Sequence, residues 1–148
     1  MNKYKKEIKL INPINLDKSK LTNIIVNGNI KELNEYAMDL ASKFVTKLKI
    51  EIVTQNKKET KEEKELTTSQ IRNIFDAIQR MQKYEENKLQ LLRPKLAYLA
   101  GRHGGRVKEF QELIESSLPL VTDDNTFINF KNFLEAIVAY HKFYGGGE

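Results

Sequence analysis

The sequence predicts an all-α fold: a single compact bundle of about five helices with an irregular N-terminal arm. Three observations lead there. From Ile30 onward, apolar residues recur at i, i+3, i+4 and i+7 in one stretch after another, the period of a helix with one buried face. Sustained two-residue alternation bounded by hairpin turns is missing, although Lys47–Val53 can also be read as a short strand. Six of the seven glycines fall in two clusters, Gly101/Gly104/Gly105 and Gly145/Gly146/Gly147, where helices should stop. A chain of 148 residues with 40% apolar content is the size of one domain and holds enough apolar side chain for one core.

Residues 1–29 are polar and Asn-rich, contain the helix breaker Pro13, and are expected to form the irregular arm; residues 30–148 form the bundle. A first helix follows from Ile30, Leu33, Ala37, Leu40, Phe44 and Leu48. The run Asn56–Glu65 (NKKETKEEKE) has four Lys, four Glu and no apolar residue to bury, so a charged linker is expected over about 54–65. Leu66-Thr67-Thr68-Ser69 then supplies capping hydroxyls for a second helix, with Ile71, Ile74, Phe75, Ile78 and Met81 inward and Arg72, Asp76, Gln79, Arg80 and Lys83 outward. The third stretch runs from about Glu86 to Arg102. Leu89, Leu92, Leu96 and Leu99 share one stripe, and Leu91, Lys95, Tyr98 and Arg102 share the next. Pro94 should kink this helix or start a new segment. Val107, Phe110, Leu113, Ile114 and Leu118 mark a fourth helix ending near Pro119. The fifth follows Asp123-Asp124-Asn125-Thr126. Its wide apolar surface (Phe127, Phe130, Phe133, Leu134, Ile137, Val138, Tyr140 and Tyr144) is that of a central core helix.

The formal charge is 25 − 20 = +5, and its location matters more than its size. Between Lys88 and Lys108 lie six basic residues (Lys88, Arg93, Lys95, Arg102, Arg106 and Lys108) and no carboxylate, so that window carries +6 and the remainder sums to −1. Such a cluster suits phosphate contacts. Tyr98, between Lys95 and Arg102, reads equally as a ring at the core edge or as a stacking ring. With no cysteine, disulfides, thiol catalysis and thiolate metal sites are excluded. His103, at a helix end, reads as a surface residue and His141 as a packed one; neither has a metal-ligand partner at H-E-x-x-H spacing. GRHGGR (101–106) lacks the phosphate-loop spacing and follows a helix, so it reads as a helix stop and turn. The acidic groups Glu62/Glu63/Glu65 and Asp123/Asp124 read as lying on flexible, wet segments. No catalytic constellation, metal site or cofactor is expected, and the chain is not read as an enzyme. With no apolar run of membrane-spanning length and no signal-peptide core, a cytoplasmic protein without a membrane partner is expected.

Three segments in order carry a resemblance: LTTSQIRN (66–73), AYLAGR (97–102) and FLEAIVAYHKFY (133–144). Together they resemble the small subunit of the CRISPR–Cas type III-A (Csm) effector complex, over roughly residues 66–147. The resemblance implies a small helical bundle, several copies of which stack in the inner filament of an antiviral ribonucleoprotein. There it lies beside a large subunit, a guide-binding filament subunit and the guide RNA–target RNA duplex. It implies no catalytic residue in this chain, and RNA held through its backbone, since base pairing with the guide reads the sequence. Carried over by position, Arg72, Lys95 and Arg102 are the expected RNA contacts. Arg80, Arg93 and Arg106 join them from the basic pattern alone. Pro94 interrupts a helix that the family generally runs straight through. Two other readings stand beside this one. A structural helical adaptor would use the basic stripe only as solvated surface. A helix-turn-helix DNA-binding protein would have to offer a groove only Arg72, Asn73, Asp76, Gln79 and Arg80.

Overall fold

The computed structural model describes residues 6–147. In chain order these form strand β1 (Glu7–Leu10), helix α1 (Lys18–Ile25), helix α2 (Ile30–Phe44), strands β2 (Leu48–Thr54) and β3 (Lys57–Glu63), and helices α3 (Thr68–Gln79), α4 (Glu86–His103), α5 (Gly105–Ser117) and α6 (Asp124–Phe143); a short 3-10 turn covers Leu118–Leu120. The fold is therefore mostly helical but not all-α. The strands build an antiparallel sheet in the order β1-β2-β3, which corrects the expected fold class.

Two local readings fall with it. The charged run expected as a linker is β3, paired along its whole length with β2 from Leu48↔Glu63 to Thr54↔Lys57 across a two-residue turn. Nothing in β3 is fully buried, so side-chain hydrophobicity does not mark it. Its order comes from the backbone ladder to β2, where Leu48, Ile50 and Ile52 alternate with Lys49, Glu51 and Val53. The N-terminal segment is not irregular either, apart from residues 1–5, which lie outside the described residues. β1 pairs with β2 from Glu7↔Val53 to Leu10↔Ile50. Asp17 caps α1 by accepting from the Ser19 hydroxyl and from the amides of Ser19 and Lys20, and these bonds, the hydroxyl's first, hold its carboxyl below the usual carboxylate range. Leu21, Ile24 and Ile25 of α1 are completely buried.

The core is arranged around α6, as its wide apolar surface predicts. α6 packs along α2 and also against α3 and α1. Phe130, Phe133 and Ile137 are fully enclosed, and the Phe133 ring stacks on Tyr36 of α2 with centroids 6.0 Å apart. Both α3 and α6 start with reciprocal caps, Thr67 with Gln70 and Asp123 with Thr126. α4 is placed differently. It packs chiefly on α5, burying only Leu89, Leu92, Leu96 and Ala100 along one narrow stripe, and it runs through Pro94 without ending. Pro94 is exposed on the solvent side, so its missing amide removes a bond only where water can reach the freed carbonyl. Among the described residues, no helix is long and apolar enough to cross a membrane.

Because α1 is part of the core, Ile24→Ala should cost about 2–5 kcal/mol of unfolding free energy in urea titrations, the range for an enclosed large-to-small change. An effect within about 0.5 kcal/mol, as for surface substitutions, would show that this segment does not pack.

Candidate functional site

The six arginine and lysine positions marked in the sequence fall into three environments. Lys95 and Arg102 project from the exposed stripe of α4, with Tyr98 between them and Leu91 one turn before. Tyr98 is 67% exposed and Leu91 66%, so this ring lies in solvent and not at the core edge. Arg72 and Arg80 lie on the solvent side of α3 and at its C-cap. Arg72, Arg80, Lys95 and Arg102 have no ion-pair or side-chain hydrogen-bond partner among the described residues. α3 packs on α6 and α4 on α5, and α3 and α4 do not lie side by side, so Lys95 and Arg102 form one cluster while Arg72 and Arg80 belong to another helix.

Arg93 is a bridge between helices. Its Nε and Nη2 both donate to Glu115 Oε1 of α5, at 2.9 and 2.5 Å, and its Nη1 donates to Gln90 Oε1 at 3.1 Å. The carboxylate beside it raises the arginine's pKa further and neutralises its charge in place. These two side chains line a cleft of about 350 Å³ with Tyr84, Leu89, Leu118 and Val121. Among the described residues, no three His, Cys, Asp or Glu side chains converge as a metal site would need.

Arg106 is not a surface cation, which corrects its placement among the expected RNA contacts. It is 1% exposed. Nη1 donates to Glu109 Oε1 at 2.6 Å and to the Asn12 carbonyl at 3.0 Å, while Nε and Nη2 donate to the carbonyl and hydroxyl of Thr46 at 3.2 and 3.0 Å. Glu109, also buried, takes the Ile14 amide on its second oxygen at 2.5 Å. One ion pair thus joins α5 to the segment after β1 and to the turn after α2. A signal was present: Arg106 precedes Phe110 by four residues and Leu113 by seven, so it shares their inward stripe. Beside it, Gly105 (φ +55°) lets α5 begin against the end of β3, where a Cβ would meet the Lys64 carbonyl at 2.6 Å; its amide donates to Glu63 Oε2 at 2.7 Å.

Two of the sequence segments that carried the resemblance meet in space. His141 of α6 is fully buried and its Nε2 donates to the Leu66 carbonyl at 2.6 Å, just before α3. The Gly146 and Gly147 carbonyls accept from the Thr68 hydroxyl and amide at 3.2 and 2.6 Å. Gly146 passes so close to the imidazole that a Cβ there would lie 2.1 Å from Cε1. Nδ1 has no hydrogen-bond partner among the described residues, which fits the neutral ring. His103, by contrast, is exposed at the end of α4.

The geometry defines a small, mainly helical domain with one exposed basic stripe on a peripheral helix. Residues 27–147 match the family described as Csm2 Type III-A. A Streptococcus thermophilus protein, the "CRISPR system Cms protein Csm2", is 36% identical over 91 residues, which span 55% of this chain and 74% of that protein. No solved structure matches the chain. The class is thus that of a type III-A CRISPR protein. The chain belongs to the Csm2 family, the small subunit of the Csm complex.

Two outcomes follow. Arg106→Met leaves Glu109 as an unpaired buried carboxylate and should cost about 3–5 kcal/mol in urea unfolding; a loss below about 1 kcal/mol, the level of an exposed pair, would show that the pair is solvated. Burial lowers the His141 pKa from its ordinary 6.5, with the Leu66 bond opposing and Lys142 adding. Below the ordinary value the unfolded chain binds the extra proton, so stability is full above 6.5 and declines as pH falls below it. His141→Gln should flatten that decline; an equal slope in both proteins would place the titration elsewhere.

Proposed function

We propose that this chain is a non-catalytic small subunit whose copies stack within the type III-A complex and hold target RNA paired with the guide through sequence-independent backbone contacts. The single observation that carries this reading is the exposed α4 stripe of Lys95, Tyr98 and Arg102, two unpaired cations flanking an exposed ring. It lies in a 21-residue window without a carboxylate. A helix-borne lysine and arginine reach phosphate oxygens while ignoring base identity, and guide pairing supplies sequence selection. Arg72 and Arg80 extend the contact from α3. Arg93 stays with Glu115 and holds α4 to α5, and Arg106 serves the core. Other Csm subunits and further copies of this chain are the protein partners. The surface fits single-stranded or paired RNA backbone better than a DNA groove, because α3 turns Ile71, Ile74, Phe75 and Ile78 into the core and leaves a recognition helix few polar groups.

Lys95→Glu with Arg102→Glu, assembled into the Csm complex, should weaken target-RNA retention about equally for every matched target sequence in filter binding. Losing about two phosphate contacts on the paired RNA should also flatten the dependence of log K on log salt by about 1.8. Unchanged retention would support the adaptor reading. A loss confined to particular base sequences would overturn backbone recognition.

A further inference from the structure

β3 pairs with β2 along one edge only, and its residues are exposed from Lys57 to Glu62. Across the two-residue turn, Thr54 and Lys57 face each other as a hydrogen-bonded pair. The alternation of antiparallel pairing then directs the backbone groups of Lys57, Glu59, Lys61 and Glu63 to β2. Those of Lys58, Thr60 and Glu62 point outward along an edge to which no other strand is paired among the described residues.

The charge order along that edge is its own complement. Read about Thr60, Lys57 stands against Glu63, Lys58 against Glu62 and Glu59 against Lys61. We infer that β3 is a self-recognition edge: two copies of the chain join antiparallel through β3 about a two-fold axis at Thr60, making one six-stranded sheet. In this register Lys58, Thr60 and Glu62 of one copy face Glu62, Thr60 and Lys58 of the other. All three outward residues therefore fall in hydrogen-bonded pairs, which exchange six backbone bonds. Every charged residue meets its opposite, although Glu63 already accepts the Gly105 amide and adds least.

The neighbouring registers are repelled. A shift of two residues, the smallest that keeps outward groups facing outward groups, sets Glu59 against Glu59 and Lys57 against Lys61 in one direction. In the other it sets Lys61 against Lys61 and Glu59 against Glu63. A charged edge ordinarily deters strand addition. This one deters both neighbouring registers. A second copy fits it better than an unrelated strand, because complementarity about a central residue is what a two-fold axis demands. Such a contact closes on itself, so it belongs to the free chain and is separate from stacking in a filament and from the RNA reading.

Sedimentation of the full chain without RNA tests it. At about 100 µM and low salt the wild type should run as a pair of 17.2 kDa chains and dissociate as salt rises to about 0.5 M. Thr60→Pro removes an amide that only the second copy uses, leaves the β2 ladder whole, and should yield single chains. Glu59→Lys sets lysine against Lys61 twice and should weaken pairing about tenfold, while Glu59→Lys with Lys61→Glu, which keeps the wild-type charge, should restore it to within about threefold. Circular dichroism reports folding of each variant, and the charge swap decides alone if Thr60→Pro does not fold. Single chains in the wild type at all concentrations would overturn the proposal. So would a pair that Glu59→Lys leaves unchanged, since the contact would then lie elsewhere.

Discussion

The buried Arg106–Glu109 pair is the constraint on which the arrangement of the sheet and α5 depends. A guanidinium taken out of water must find acceptors for its donors, and these come from places distant in sequence: Asn12 after β1, Thr46 after α2, and Glu109 one turn on. Glu109 then fixes Ile14 through its amide. Geometry at one point therefore sets where the N-terminal strand leaves the sheet, where α2 hands over to β2, and how α5 lies against both. Apolar packing alone, being non-directional, would not choose among these placements.

α4 hangs on that frame. The Gly104–Gly105 turn seats the start of α5 on the end of β3, α4 runs back along α5, and Arg93 ties the two helices through Glu115. The stripe of Lys95, Tyr98 and Arg102 is thus carried on a rigid helix whose other side buries only four residues. On that stripe Lys95 and Arg102 pair with no carboxylate among the described residues.

Much of this was legible in the sequence, and the failures have physical causes. Helices α2 to α6 followed from 3.6-residue periodicity, because each buries one face, although Leu48, placed by that spacing in the first of them, begins β2. α1 was missed although Leu21, Ile24 and Ile25 have helical spacing after a capping Asp17; eight residues next to Pro13 give a weak pattern. β3 left no hydrophobic trace, since it is held by backbone bonds and its side chains stay in water. β2 showed as an ambiguous alternation whose partners could not be seen. Of the six cations, Arg72, Arg80, Lys95 and Arg102 stand exposed without a partner, whereas Arg93 is engaged by Glu115 of the following helix and Arg106 by Glu109 one turn on in its own helix. Charge type is written in sequence; whether a charge has a partner depends on the fold. The resemblance segments at Leu66–Asn73 and Phe133–Tyr144 meet at His141, a proximity no spacing could reveal.

The position of α6 bears on how the chain acquires its structure. The helix that α1, α2 and α3 all pack against is the sixth of the six in chain order among the described residues. While the polypeptide emerges from the ribosome, Leu21, Ile24, Leu33, Leu40, Ile71 and Phe75 are translated well before Phe130, Phe133 and Ile137 exist to cover them. The early helices must wait with open apolar faces, and the decisive contacts span about a hundred residues, as between Tyr36 and Phe133. The core of this domain therefore closes only once α6 is present to cover the faces of α1, α2 and α3.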